Sequence, residues 1–308
     1  MARRPAPPID GACVVDKPAG WTSHDVVAKS RALLGTRKVG HSGTLDPDAT
    51  GVLVLGVGRA TRLLRFLTVL GKAYVGELVL GSTTSTLDAA GEVTGTFAMD
   101  GITVSDVRSV LASFTGEIDQ IPPMVSAIKV QGRRLHELAR EGIEIEREAR
   151  RVVIHRIDVE STTEPKVFRL SVQCGSGTYI RSLAADIGTA LGGGAHLRNL
   201  RRTAVGGFGL ADARGLDQLQ LLTMREVLRD YPALDTDAAG VVALVQGRQL
   251  GAQSVVARAT STLVPFGAPS PHAVYGPDGD LVAVVEEVDT GYKPVVVVAV
   301  SGGPERIG

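Results

Sequence analysis

Residues 41–51 read His41-Ser42-Gly43-Thr44-Leu45-Asp46-Pro47-Asp48-Ala49-Thr50-Gly51, and they hold two carboxylates between glycines, of which Asp46 directly precedes a proline. A carboxylate fixed in this way can serve as a nucleophile or a base without a metal. The residue before a proline is pushed out of the helical region, so Leu45-Asp46-Pro47 is extended or turned, while the flanking glycines reach angles that other residues resist. Two later segments have similar glycine punctuation: Gly71-Lys72-Ala73-Tyr74 and Gly175-Ser176-Gly177-Thr178-Tyr179-Ile180-Arg181. They add two tyrosines and an arginine. By residue type alone, Asp-Pro-Asp is equally an ordinary surface turn.

Elements must hold these groups in place. The apolar run from Thr50 to Gly56 reads as a buried strand, so the Asp46 loop feeds directly into the core. Thr22-Ser23-His24-Asp25 ahead of Val26, Val27, Leu33 and Leu34 fits a capped amphipathic helix that Gly35 ends. A second helix begins within residues 103–106, with Val107, Val110, Leu111 and Phe114 on one face and Gly116 as its stop. Alternating segments at 74–80, 152–159 and 167–174 read as strands, and Cys174 closes the last of them as a packing residue; a helix is expected over 180–191. The interleaving predicts an α/β protein of the α+β type, with a mixed, largely antiparallel sheet and flanking helices. Near residue 230 the composition turns to Val, Gly and Asp, with short strands at 281–288 and 294–300. The expected organisation is a disordered lead-in at 1–10, a main domain at 11–230 and a small β-rich domain at 231–308.

The 308 residues are 44% hydrophobic, enough for a large core. The longest aliphatic stretch, residues 294–300, is far short of the roughly 20 residues of a membrane span, and the basic, proline-rich first residues lack the apolar segment of a signal peptide. A reducing cytoplasm is the default for a chain whose cysteines are Cys13 and Cys174 alone, too few for a disulfide framework or a metal cluster, so a cytoplasmic protein is expected. Net charge is zero but unevenly spread: residues 1–75 hold 11 Lys/Arg against 5 Asp/Glu, residues 76–130 hold 2 against 7, and residues 231–308 hold 4 against 8. The basic excess accompanies Asp46. Leu55-Gly56-Val57-Gly58 imitates a dinucleotide fingerprint, but Thr61 replaces its third glycine and no acidic ribose partner follows. Thr61 instead reads as a helix start that places Arg62 and Arg65 on one face, where they can meet phosphates.

Taken together, residues 41–51, Gly71-Lys72-Ala73-Tyr74, Gln120-Ile121-Pro122-Pro123-Met124-Val125-Ser126-Ala127-Ile128-Lys129, Gly177-Thr178-Tyr179-Ile180-Arg181 and Leu197-Arg198-Asn199-Leu200-Arg201-Arg202-Thr203 resemble the bacterial TruB-type tRNA pseudouridine synthases. Five motifs match in order over about residues 11–210. The resemblance implies an enzyme that acts on uridine 55 in the T-arm of tRNA, with Asp46 as the catalytic aspartate, Arg181 as its cation and Tyr74 as a stacking surface; a monomer is expected. It further implies that His41, Tyr179, Leu200, Lys17, Arg62 and Lys129 contact substrate, His41 filling the gap left by the flipped base. Lys17 is structural on the alternative reading. Residues 125–151, by composition a mixed-charge exposed helix face, resemble an RNA-clamping insertion, and the C-terminal domain resembles the PUA module. The pattern departs at Val125 and at Leu135-His136, where tyrosines are expected.

Pseudouridine formation breaks the bond from ribose to uracil N1, turns the base and rejoins it through C5, so it needs no metal, redox cofactor or ATP. Asp46 can attack the sugar or the base, or remove a sugar proton. Two rival readings remain: a non-catalytic RNA-binding or tRNA-folding protein on the same scaffold, and a carbohydrate hydrolase using Asp46 and Asp48. Two carboxylates in one loop lack the opposed placement that the hydrolase needs. Chelation of divalent ions is expected to leave the rate unchanged on prefolded RNA; a rate that collapses with chelator and returns with one added metal would contradict this reading.

Overall fold

The computed structural model describes residues 9–126, 129–130, 133–134, 141–143, 145–258 and 271–298. The chain opens with β1 (Gly11–Lys17), α1 (Ser23–Leu34), β2 (Val39–His41), β3 (Thr50–Val57), a 3-10 turn at Gly58–Leu63, α2 (Leu64–Thr68) and β4 (Lys72–Leu80). There follow β5 (Ser82–Thr84), β6 (Val93–Thr96), α3 (Val104–Leu111), β7 (Gly116–Gln120), β8 (Lys129–Val130), β9 (Arg133–Arg134), β10 (Arg150–Ser161), β11 (Val167–Cys174), α4 (Ile180–Ala190), β12 (Ala195–Val205) and β13 (Phe208–Gly209). Last come α5 (Met224–Val227), β14 (Ala233–Thr236), α6 (Ala238–Val245), β15 (Val255–Arg258), β16 (His272–Tyr275), β17 (Leu281–Val288) and β18 (Gly291–Val297).

The main sheet runs β1-β3-β12-β4-β11-β10-β7, with β2 beside β3 and β13 beside β12. It is mixed and largely antiparallel; its parallel pairing joins β12 to β3, where Arg202 lies opposite Gly51. A β-carbon on Gly51, whose φ is +98°, would stand 2.2 Å from the Arg202 carbonyl, so only glycine lets the strands meet here. The helices begin and end as their sequences dictate. Thr22 and Asp25 form a reciprocal capping box on α1, Gly35 closes it in the left-handed region (φ 62°), and Thr103 and Asp106 cap α3. The helix expected from Thr61 starts earlier, as a 3-10 turn from Gly58 that becomes α2.

The five-stranded second sheet runs β15-β14-β16-β17-β18. Its Ala273, Tyr275, Val284 and Val296 share one hydrophobic cluster with Phe66, Leu67, Leu70 and Phe208 of the main domain. Arg62 and Arg65, expected at phosphates, instead donate to this sheet: Arg62 to the Val297 carbonyl at 2.7 Å and Arg65 to that of Val295 at 3.3 Å. Among the described residues this edge of the strand has no ladder partner, and the arginines supply donors to its carbonyls. Asp10, inside the expected lead-in, is ordered: it pairs with Arg59 Nε at 2.7 Å. Much of residues 125–151, including Leu135 and His136, lies outside the described residues. No helix among the described residues is long and apolar enough to cross a membrane.

Because one cluster spans both sheets, removing the second one bares Phe66, Leu67 and Leu70 to water. A chain ending at residue 230 is expected to aggregate or to melt well below the full chain, which should itself unfold in one transition. Two separated calorimetric transitions, with a soluble and equally stable fragment, would refute the shared core.

Candidate active site

The Asp46 loop is held from both sides. Ser23, at the start of α1, accepts the Leu45 N–H at 2.8 Å and donates to the Leu45 carbonyl at 3.2 Å. Lys17, at the end of β1, is fully buried and spends its three N–H donors on the carbonyls of Pro18 (2.9 Å), Trp21 (2.6 Å) and Pro47 (2.7 Å). Lys17 is thus a staple beneath the loop, with no donor left for substrate; burial lowers its pKa to about 8. Above the loop, Arg202 of β12 is 1% exposed and donates to the carbonyls of Val52 (2.7 Å), Gly43 (3.2 Å) and Thr44 (3.4 Å), and to the Tyr74 phenol.

Arg181, in the first turn of α4, grips Asp46 bidentately: Nε lies 2.9 Å from Oδ2 and one terminal nitrogen 3.1 Å from Oδ1. The guanidinium also donates to the carbonyls of Thr86 (2.8 Å) and Val125 (2.7 Å), and Asp88 approaches its Nε at 3.5 Å. The carbonyl of Val125 does this work, so replacement of the expected tyrosine leaves that bond intact. The Arg181 side chain is 4% exposed while that of Asp46, at the cleft mouth, is 38% exposed. Burial raises the Asp46 pKa above its ordinary value; Arg181 pulls it down, Asp88 pushes it up, and Lys17 pulls it down weakly.

Two arms of one cleft meet at Asp46, Arg181 and Leu200. One, of about 410 Å³, is also lined by Asp48, Thr86, Asp88, Val125, Arg198 and Asn199. The other, of about 440 Å³, is lined by Ser42, Thr68, Lys72, Tyr74, Tyr179 and Arg202. Tyr74 is 8% exposed, and burial raises its phenol pKa. Tyr179 is positioned by Gln120, whose side-chain amide accepts its N–H at 2.7 Å and donates to its carbonyl at 3.0 Å. Leu200 reaches both arms because β12 slips register between Arg198 and Arg201, with Asn199 at φ 53°. Glu77 on β4 pins this bulge by accepting from Arg198 (2.6 Å) and Asn199 (2.9 Å).

The structure therefore brings Asp46, Arg181, Tyr74, Tyr179 and Leu200 together. It does not bring Lys17 or Arg62. His41 sits beside the cleft on β2, its ring edge-on to His24 with centroids 5.3 Å apart and its Nδ1 accepting from Gly43 N–H at 3.3 Å. Burial and the neighbouring cations push its pKa to about 4, so it is neutral at pH 7 with its proton on Nε2. Lys129 is in β8, but its side chain lies outside the described residues. Sequence reasoning missed Asp88, Gln120, Ser23 and the role of Arg202. Arg202 stood in a quoted motif, whereas Asp88 lies in a Ser/Thr-rich turn with no local signal.

Comparisons with known proteins agree with this architecture. Residues 31–180 match the model of the N-terminal domain of the TruB family of pseudouridylate synthases, and residues 181–236 match that of the tRNA pseudouridylate synthase B C-terminal domain. The chain is 43% identical over 303 residues to tRNA pseudouridine synthase B of Arthrobacter sp. (strain FB24), covering 95% of this chain and 98% of the relative. It is 46% identical over 292 residues to the Mycobacterium sp. (strain KMS) protein of the same name, covering 93% and 95%. Among solved structures, a Cbf5-Nop10-Gar1 complex superimposes with a TM-score of 0.73 at 26% identity, over 94% of this chain and 85% of that one. Fold and cleft together define a pseudouridine synthase. The chain belongs to the TruB family.

The opposed influences on Asp46 give opposite expected shifts. Arg181→Met removes the cation from a carboxylate that stays desolvated, so the acidic limb of the pH–rate profile should move up. Asp88→Asn removes the competing negative charge, so any movement of the limb should be downward. Arg181→Lys should lose much of the rate, because a point charge does not reproduce the two-pronged grip. Single-turnover rates across pH 5 to 9 check this; unmoved limbs in both variants would remove the pair from the chemistry.

Proposed function

We propose that this protein isomerises uridine 55 in the T-loop of tRNA to pseudouridine, with Asp46 acting directly on a uridine turned out of the RNA. The observation that carries the reading is the carboxylate of Asp46, gripped by Arg181 at the junction of two arms whose walls are Tyr74, Tyr179 and Leu200. A uridine inside a folded loop must leave the stack to be reached, and the apolar and aromatic walls suit a free base. The reaction is balanced without a co-reactant: the bond from C1′ to N1 breaks, a bond from C1′ to C5 forms, and the C5 proton is lost as N1 gains one. Arg181 keeps Asp46 ionised while the bound nucleoside desolvates it further. The tRNA substrate is supported by the name of the relatives, tRNA pseudouridine synthase B, and position 55 is what the resemblance to the TruB-type enzymes implies.

In this reading residues 11–230 form the catalytic domain and residues 231–308 a PUA-like module, and the protein works as a monomer in the cytoplasm. A tRNA-folding protein on the same scaffold would need neither Asp46 nor its cation. Incubation with an unmodified tRNA transcript, followed by chemical mapping of pseudouridine, tests the reading: modification should appear at position 55 alone. Asp46→Asn should abolish it while tRNA affinity stays within a few-fold. A variant that still turns over near the wild-type rate, or a wild type that binds tRNA and modifies nothing, would sink the proposal.

A further inference from the structure

The Tyr74 arm holds a charge that the chemistry at Asp46 does not use. Lys72 lines it two residues before Tyr74 on β4, so both side chains lie on one face of the strand. Its Nζ donates to the carbonyls of Thr68 and Leu70, each at 2.7 Å, and an ammonium has a third N–H. Arg202 stands close by. Lys72 Cε and an Arg202 terminal nitrogen would lie 3.9 and 3.7 Å from a β-carbon built on Gly43. The hydrogen-bond partners of both cations are neutral carbonyls and a phenol, and among the described residues neither forms an ion pair with a carboxylate. Asp46, the acid that lines this arm, is committed to Arg181.

Two neighbouring desolvated cations repel each other and call for an anion. Burial and Arg202 together lower the Lys72 pKa to about 8. A second observation points into the same arm: Ser42 lines it, is 1% exposed, and its hydroxyl has no hydrogen-bond partner among the described residues. The exposed Thr68 and Ser176 form the rim, so a polymer can enter and leave here.

We propose that Lys72 and Ser42, backed by the positive field of Arg202, form a subsite for one backbone phosphate adjoining the flipped uridine. The inference rests on the reading of this cleft as an RNA-isomerising site. A phosphodiester fits better than a uracil carbonyl because the unmet requirement is a full negative charge, and it accepts both the ammonium N–H and the hydroxyl. Lys72 thereby gains the counter-ion that Arg181 already has, and a bound phosphate holds it protonated.

The test uses the full-length protein and a T-arm stem-loop in which a single uncharged methylphosphonate replaces the linkage 5′ or 3′ of the target uridine. One of the two linkages should weaken wild-type binding about tenfold, as expected for a charge-assisted contact. Lys72→Met should weaken binding of unmodified RNA to a similar degree, and should lose no more when that same linkage is neutralised. Its log affinity should also fall less steeply with log salt, by roughly 0.7–0.9, the share of one phosphate. Lys72 also closes the end of α2, so thermal melts accompany the assay; Ser42→Ala, which touches none of those bonds, should show a smaller loss at that linkage alone. Linkages that do not matter to the wild type, or losses that add in full, would overturn the subsite while leaving the isomerase intact. A wild type that fails to modify the unsubstituted stem-loop and intact tRNA would overturn the functional reading, and the subsite with it.

Discussion

One buried guanidinium organises the cleft. Arg181 joins four separate stretches of chain: the Asp46 loop through two hydrogen bonds, Thr86 and Val125 through their carbonyls, and α4 through its own backbone. A charge this buried is tolerable only when paired and hydrogen-bonded, so the carboxylate and the arginine require each other. The same pair governs the charge of the carboxylate. Burial alone drives Asp46 towards its neutral form, and the cation opposes that drive. The partner that makes one buried charge tolerable is therefore also the group that favours the ionised form of Asp46.

The other buried cations follow a different rule. Lys17 spends its donors on the carbonyls of loop residues, and Arg202 on those of Gly43 and Thr44 in the loop and of Val52 in β3. Lys17 ties the turn at residues 18–21 to Pro47; Arg202 ties residues 43–44 to β3. Loops without regular hydrogen bonding become rigid in this way, and the positive charge of each staple remains. Lys72, Arg181 and Arg202 thus gather positive charge in the arm lined by Tyr74, although the whole chain is neutral. Such a surface suits a polyanion at one place without attracting it everywhere.

Strand irregularity does the remaining positioning. A regular β12 would send Arg198, Leu200 and Arg202 to one face; the slip between Arg198 and Arg201, with Asn199 in the left-handed region, puts Leu200 at the junction of both arms. Glu77 holds the slipped segment, and Gly51 lets β3 approach closely enough for Arg202 to reach the Asp46 loop. Bulges beside functional clefts re-aim side chains in this manner.

Local chemistry was readable directly. The capping boxes at Thr22 and Thr103, the stop at Gly35, the strand at Val167–Cys174 and the turn before Pro47 depend on neighbouring residues alone, so the sequence declares them. The motif order likewise revealed the family and singled out Asp46, Tyr74 and Arg181. What the sequence could not show was which donors were already spent. Lys17 looks like a free cation in a linear string, and only the fold brings the carbonyls of Pro18, Trp21 and Pro47 to its three donors; Arg62, still exposed, turns one donor to the Val297 carbonyl. Asp88 and Gln120 gain meaning solely because Arg181 and Tyr179 lie beside them across long sequence separations. Propensity and capping act between near neighbours, whereas the pairing of a buried charge depends on every segment that closes around it; by itself the sequence determined the capped helices and the alternating strands and pointed to Asp46, and only the tertiary structure decided which charges are paired and with what.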